Sequence, residues 1–341
     1  KAAWLEAFGY LQIAKNEGIV FYHLNNPEDG EKVMENLPLK RLIFTRQWFV
    51  TLTDKIELPD YNRVEAIVEE LGSDWQYADL RMETPDTNDG KALSKFCRKL
   101  AVPLRQALRK KKILTEKNQH EGAVLHALFF SGNEVILGFS LGHNTSPHVM
   151  GIPRLKFPSA SPSRSTLKLD EAFLYFIPKD EREYRLSSGM KAVDLGAAPG
   201  GWTYQLVRRG MMVTSIDNGP MAESLMETGQ VKHRMVDGFK YEPTKHEIYW
   251  LIRETKKREK VNIPDQTPVD WLVCDMIEKP QRVVDLIIRW FSEGFCREAI
   301  VNLKLPMSKK YDTVKELLEK LKAELPNCYY EAKHLYYDRD E

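Results

Sequence analysis

Cysteine is scarce. Only Cys97, Cys274, Cys296 and Cys328 occur in 341 residues, far apart and with no C-x-x-C pair. Such spacing argues against a disulfide framework and against a zinc cluster, so no metal is expected, and it fits a reducing cytoplasm. Long apolar runs are missing as well. No segment reads as a membrane span and none as a signal peptide, the first residue being Lys1. Charge of one sign is also lacking: 50 Lys and Arg stand against 49 Asp and Glu, for a net charge of +1. Any nucleic-acid surface must therefore be a local patch. Repeats and low-complexity tracts are absent. What remains is an ordinary globular composition, 43% apolar and 29% charged, in a chain long enough for two or three domains.

Two different rhythms divide the chain. Up to about residue 160, strands and helices alternate loosely. Residues 19–22, 42–44 through 49–50, 77–82, 123–130 and 134–140 read as strands. Residues 27–36 and 61–71, and a long basic stretch from Gly90, read as helices. This pattern predicts small α+β domains, at 1–56 and 57–150. Residues 151–164 are rich in Pro and Ser and read as a linker. From 165 to 341 the period changes. Strand-like runs at 191–195, 212–216, 231–236, 270–274 and 298–303 alternate with helical patterns, which predicts a doubly wound parallel α/β sheet. Residues 245–268 interrupt it with a charged run that reads as a solvated helix extension.

One sentence of sequence stands out: Ala192-Val193-Asp194-Leu195-Gly196-Ala197-Ala198-Pro199-Gly200-Gly201-Trp202-Thr203. An apolar strand runs into a glycine-rich turn and then a helix, an arrangement that brings backbone N–H groups close to a ligand. Val213-Thr214-Ser215-Ile216-Asp217 comes next as a second strand ending in an acid, placed to accept from both ribose hydroxyls of a nucleoside. A dinucleotide fingerprint needs G-x-G-x-x-G, but Ala198 occupies the second glycine position. A P-loop needs Lys after its last glycine, but Trp202 stands there.

The other strand ends extend the pattern. Asp237 comes after the third strand and suits an adenine amino group. Asp275 ends the fourth and Lys304 closes the fifth. A lysine closing a buried strand is unusual, because an unpaired buried charge is costly, although a side chain snorkelling to solvent would also explain it. Lys168 lies near the N-cap set by Ser165, either facing the same cleft or facing solvent.

The form D-L-G-x-x-P-G-G-W-T resembles the cofactor loop of S-adenosylmethionine-dependent methyltransferases, in particular the FtsJ-like ribose 2′-O-methyltransferases. That family uses a Lys-Asp-Lys-Glu tetrad, which implies Lys168, Asp275, Lys304 and Glu341 here, with Asp340 the neighbouring candidate for the last. A ribose hydroxyl is a poor nucleophile and needs a base titrating near working pH. Free lysine, at about 10.4, must be desolvated or set near another cation to serve. Lys304 is the expected base. Other methyl acceptors fit less well. Amino methylation resembles [DN]-P-P-[YF] where this chain has Asp275-Met276-Ile277-Glu278, and Cys274 reads as core rather than as a nucleophile.

Residues 91–112 carry Lys91, Lys95, Arg98, Lys99, Arg105, Arg109, Lys110, Lys111 and Lys112 with no acid among them. Apolar residues recur there at near-helical spacing, although Pro103 is expected to kink or divide the helix. Such a stretch can pack on one face and meet RNA phosphates on the other. Further stretches, Thr45-Arg46-Gln47-Trp48-Phe49-Val50, Asp86-Thr87-Asn88, Lys95-Phe96-Cys97-Arg98-Lys99, Met150-Gly151-Ile152-Pro153, Asp217-Asn218-Gly219-Pro220 and Asn302-Leu303-Lys304, resemble the RlmM-type bacterial 23S rRNA ribose 2′-O-methyltransferases. The likeness covers nearly the whole chain. It implies a ferredoxin-like domain, a THUMP RNA-binding domain and a Rossmann-fold methyltransferase domain. It further implies a cytidine ribose of 23S rRNA as target before subunit assembly is complete, by a cytoplasmic monomer that binds no membrane. Ser165, Ala198, Pro199, Gly200, Gly201, Asp217, Asp237 and Asp275 would line the cofactor site. Three departures stand out: Ala198 where cysteine is common, a longer 245–268 segment, and ends shorter than the family's. A non-catalytic RNA-binding protein, or a methyltransferase with another substrate, is the alternative.

Overall fold

The computed structural model describes residues 11–16, 18–24, 26, 29–72, 75–116, 122–243 and 268–337. The charged run at 253–260 and the acids Asp340 and Glu341 lie outside them. The chain divides into two compact units: Lys1–Pro153 with Ala332–His334, and Arg154–Glu331 with Leu335–Glu341. Among the described residues, no helix is long and apolar enough to cross a membrane.

The first unit opens with an antiparallel pair, β1 (Leu11–Asn16) and β2 (Ile19–His23), and then α1 (Gly30–Asn36). The strand β1 is not among those expected from the sequence. Residues 42–44 are a correction: they form turns and bends, not a strand, and Leu42 packs with Leu37 and Leu39 instead. Next come β3 (Val50–Thr51), β4 (Ile56–Glu57), α2 (Arg63–Leu71), β5 (Asp79–Glu83), α3 (Asn88–Lys110), β6 (Ala123–Phe129) and β7 (Glu134–Leu141). Their sheet has the order β3-β7-β6-β5, with β4 also on β7 and only β5–β6 parallel. The buried stripe Cys97, Leu104 and Leu108 of α3 packs on Leu80, Leu125 and Phe129.

Pro103 does not divide α3, which runs unbroken through it from a Thr87 cap whose hydroxyl accepts the Gly90 N–H at 3.0 Å. The proline sits on the solvent side, where water can satisfy the carbonyl that loses its partner.

The second unit runs α4 (Thr166–Phe176), α5 (Arg182–Arg185), β8 (Lys191–Leu195), α6 (Gly201–Val207), β9 (Met212–Ile216), α7 (Glu223–Met226), β10 (Val231–Arg234), β11 (Val269–Cys274), α8 (Pro280–Ser292), β12 (Cys296–Val301) and α9 (Lys310–Glu324). Its sheet is parallel throughout, in the order β10-β9-β8-β11-β12. Side chains alternate across it with period two. Ala192, Val213, Trp271 and Val273 pack with Leu169, Phe173 and Leu206 on one face. Val193, Leu195, Leu272 and Cys274 pack with Val283, Ile287 and Trp290 on the other. Strands buried on both faces need a helix layer on each side, the doubly wound α/β architecture expected from the alternating pattern. The third strand is shorter than its sequence pattern, ending at Arg234 and leaving Met235 and Val236 exposed.

Candidate functional site

The order of the second sheet reverses between β8 and β11, and open α/β sheets bind ligands outside the carboxyl ends of strands at such a point. Here the strands diverge into a cleft of about 490 Å³, within the range of small-molecule sites. Its walls include Gly196 and Ala198 after β8, Asp217 after β9, Asp237 after β10, Asp275 after β11, and Lys304 after β12.

The turn after β8 is shaped by its glycines. Gly200 has φ 117°, a left-handed conformation that side chains rarely adopt. A Cβ on Gly201 would stand 2.1 Å from Ser165 Oγ, so the start of α6 can lie against the start of α4 only without a side chain there. Ser165 thereby lines the cleft, its hydroxyl 3.0 Å from that of Ser163. Ser165 is the residue before α4, as expected, but its side chain makes no cap bond.

Asp217 ties this turn to the second strand. Its Oδ2 accepts the Ala198 N–H at 3.0 Å and its Oδ1 the Gly219 N–H at 2.7 Å. A carboxylate has about four acceptor positions, so two ribose hydroxyls can still be accommodated. Asp237 is exposed, and its Oδ1 accepts the Phe239 N–H at 2.9 Å. This donor and acceptor set suits a nucleoside-bearing cofactor.

Three residues far apart in sequence converge: Asp275 and Lys304 line the cleft, and Lys168 reaches Asp275 from α4. Asp275 Oδ2 lies 3.6 Å from Lys168 Nζ, and Oδ1 lies 4.0 Å from Lys304 Nζ. Lys168 is buried, and Asp275 and Lys304 keep only 14% and 18% of their side chains exposed. Two ammonium groups thus face one carboxylate, which gives the floor a local excess of positive charge.

Two side chains to which the sequence reading assigns no role also shape the site. Asn302 Nδ2 donates to Asp275 Oδ1 at 2.7 Å. Asp194, fully buried beneath the turn, accepts the Thr203 hydroxyl at 2.7 Å. Burial pushes its carboxyl up to about 7; the Thr203 hydrogen bond opposes this, and the charges of Asp275 and Asp217 add to it. Cys274 sits in the core and burial raises its thiol to about 12, which leaves it unsuited to nucleophilic attack.

On α3, Lys95, Arg98, Lys99 and Lys110 are exposed, as is Lys111 just beyond it. Arg105 and Arg109 are held by their own unit. Arg105 pairs with Asp79 at 2.9 Å and donates to the Leu80 carbonyl, and Arg109 donates to the Thr115 carbonyl at 3.1 Å.

Family models match three stretches of the chain: an RlmM ferredoxin-like domain at 1–49, the N-terminal region of ribosomal RNA large subunit methyltransferase M at 62–141, and an FtsJ-like methyltransferase at 162–307. The ribosomal RNA large subunit methyltransferase M of Colwellia psychrerythraea is 66% identical over 350 residues, covering 100% of this chain and 89% of its own length. This chain belongs to that family. The namesake from Yersinia enterocolitica is 50% identical over 346 residues, covering 100% of this chain and 88% of its own. Membership makes the chain a large-subunit ribosomal RNA methyltransferase with an FtsJ-like domain, and S-adenosylmethionine is the cofactor that goes with that domain.

Proposed function

We propose that the chain methylates the ribose 2′-oxygen of a cytidine in 23S rRNA, with Lys304 as general base. The convergence of Lys168 and Lys304 on Asp275 carries the reading, because removing a proton from an acceptor hydroxyl calls for a positioned base and both amines stand on one carboxylate. S-adenosylmethionine, when bound, supplies an electrophilic methyl group on a sulfonium. Ser165, the turn from Ala198 to Gly201, Asp217, Asp237 and Asp275 would hold it, with Asp217 suited to its ribose hydroxyls and Asp237 to its adenine amino group.

Lys304 would accept the proton that the ribose 2′-oxygen gives up on methylation. Lys168 shares Asp275 with Lys304. Asp275, held by Asn302, aims both amines. Glu341 completes the tetrad.

Residues 57–150 serve as the THUMP RNA-binding domain, and exposed cations of α3 meet the RNA backbone. Residues 1–56 form the ferredoxin-like domain, 151–164 the linker and 165–341 the methyltransferase domain. The partner is 23S rRNA before the subunit is complete, and the protein works as a cytoplasmic monomer. The test is incubation with unmodified 23S rRNA and methyl-labelled S-adenosylmethionine. Label should enter RNA with the unaltered protein and not with Lys304→Ala; equal labelling by both would remove Lys304 from the role.

A further inference from the structure

We infer that Ile277 and Met307 form an apolar clamp at the mouth of the cleft, which takes the faces of the RNA bases beside the acceptor nucleotide. The acceptor is then an unstacked nucleotide of a single strand. This rests on the proposed ribose methylation at Lys304 and names how the RNA is presented there.

Exposed apolar side chains are ordinarily scattered over a surface. Among the described residues of the second unit, several gather past the carboxyl ends of strands. Met235 and Val236 follow β10, Ile277 follows β11 and Met307 follows β12. Ile277 is 87% exposed and Met307 97%. Val236 adjoins Asp237, the acid suited to adenine, at the far edge of the sheet from β12. Ile277 and Met307 stand on the acceptor side instead. Ile277 lies two residues past Asp275 and lines the cleft, and Met307 lies three residues past Lys304. Strands β11 and β12 are paired, and Asn302 and Lys304 both approach Asp275, so the two loops leave the sheet side by side. Three residues span at most about 11 Å, which keeps Met307 near the proposed base.

Each loop adds a cation to its apolar residue. Lys279 stands two residues past Ile277 and Lys309 two past Met307, both exposed. The acid between them in the first loop, Glu278, is paired with Arg282 at 2.5 Å. Lys309 has φ 54°, a left-handed conformation usually left to glycine or asparagine. The chain accepts that cost for a lysine at this point. An apolar group beside a cation matches a single strand, the one meeting a base face and the other a phosphate.

The depth of the site explains the need. Lys304 keeps only 18% of its side chain exposed, within a cleft of about 490 Å³. A nucleoside fits such a space, but a ribose inside a continuous duplex brings its stacked neighbours with it. The acceptor must leave the stack, and apolar contacts to the bases beside it offset that loss.

The test uses the full chain with Met307→Gln, Ile277→Thr and Met307→Leu, methyl-labelled S-adenosylmethionine and unmodified 23S rRNA. The first two variants keep nearly the same size and lose apolar character. Each should lower kcat/KM for RNA about fivefold, the scale of one or two methylene groups left in water. Met307→Leu should stay close to the unaltered protein. Affinity for S-adenosylmethionine, measured by calorimetry, should stay unchanged in all three. In a fragment that accepts label, 2-aminopurine beside the labelled cytidine should brighten on binding as its stack opens, and brighten less with Met307→Gln. Unchanged kcat/KM in Met307→Gln and Ile277→Thr would overturn the clamp, as would a fluorescence that does not rise. Weakened cofactor binding by Ile277→Thr would assign that side chain to the cofactor and likewise overturn it. Absence of ribose label with the unaltered protein would instead sink the proposed reaction, and the clamp with it.

Discussion

Asn302 and Asp275 meet at 2.7 Å, amide nitrogen to carboxylate oxygen, just past the ends of neighbouring strands β12 and β11. The bond fixes the carboxylate that two lysines share. Hydrogen bonds to charged groups contribute about 1.5–3 kcal/mol, so Asn302→Ala should lower turnover about tenfold or more. Cofactor affinity should change little. A loss confined to cofactor binding in a titration would contradict this role.

Lys304 and Lys168 should respond differently to arginine. An arginine stays protonated, so Lys304→Arg loses the base and falls with Lys304→Ala by about 10²–10⁴ in single-turnover rate. Lys168→Arg keeps the cation and should retain much more activity. Equal losses at both positions would deny them separate functions.

Asp194 gives the fold a pH signature. Burial raises its carboxyl from 3.8 to about 7. Between about pH 4 and 7 the unfolded chain has released this proton while the folded chain holds it. Stability from this group therefore falls as pH rises through that window, by about 4 kcal/mol in all, and levels off above it. The difference in unfolding free energy between Asp194→Asn and the unaltered protein should grow in favour of the variant from pH 4 to 7. A difference independent of pH would contradict the raised value.

The cations of α3 should separate into two groups. Arg105→Ala removes a half-buried pair with Asp79, and its effect belongs in thermal stability, at about 1–2 kcal/mol. Lys95→Gln and Lys99→Gln should leave stability unchanged and weaken RNA binding, each lowering the slope of log affinity against log salt by about one. Unaltered salt dependence in both lysine variants would move the RNA surface elsewhere.

Sequence alone exposes the strand–turn–helix at 192–203 because period, glycine and proline agree there. It exposes the floor of the cleft because Asp275 and Lys304 break apolar strands at their ends. The role of Asn302 is hidden because its partner lies 27 residues away in sequence. Residues 42–44 have strand composition but pair with no strand among the described residues, and Pro103 is harmless because it faces solvent. Each miss is a case where tertiary partners, not local pattern, decide.

The most direct test of the central claim is the chemical identity of the product. Unmodified 23S rRNA is treated with the protein and methyl-labelled S-adenosylmethionine, digested to nucleosides and resolved by mass spectrometry. The proposed chemistry predicts label in 2′-O-methylcytidine, lost when that cytidine carries a 2′-deoxyribose. Label in a base-methylated nucleoside would contradict it.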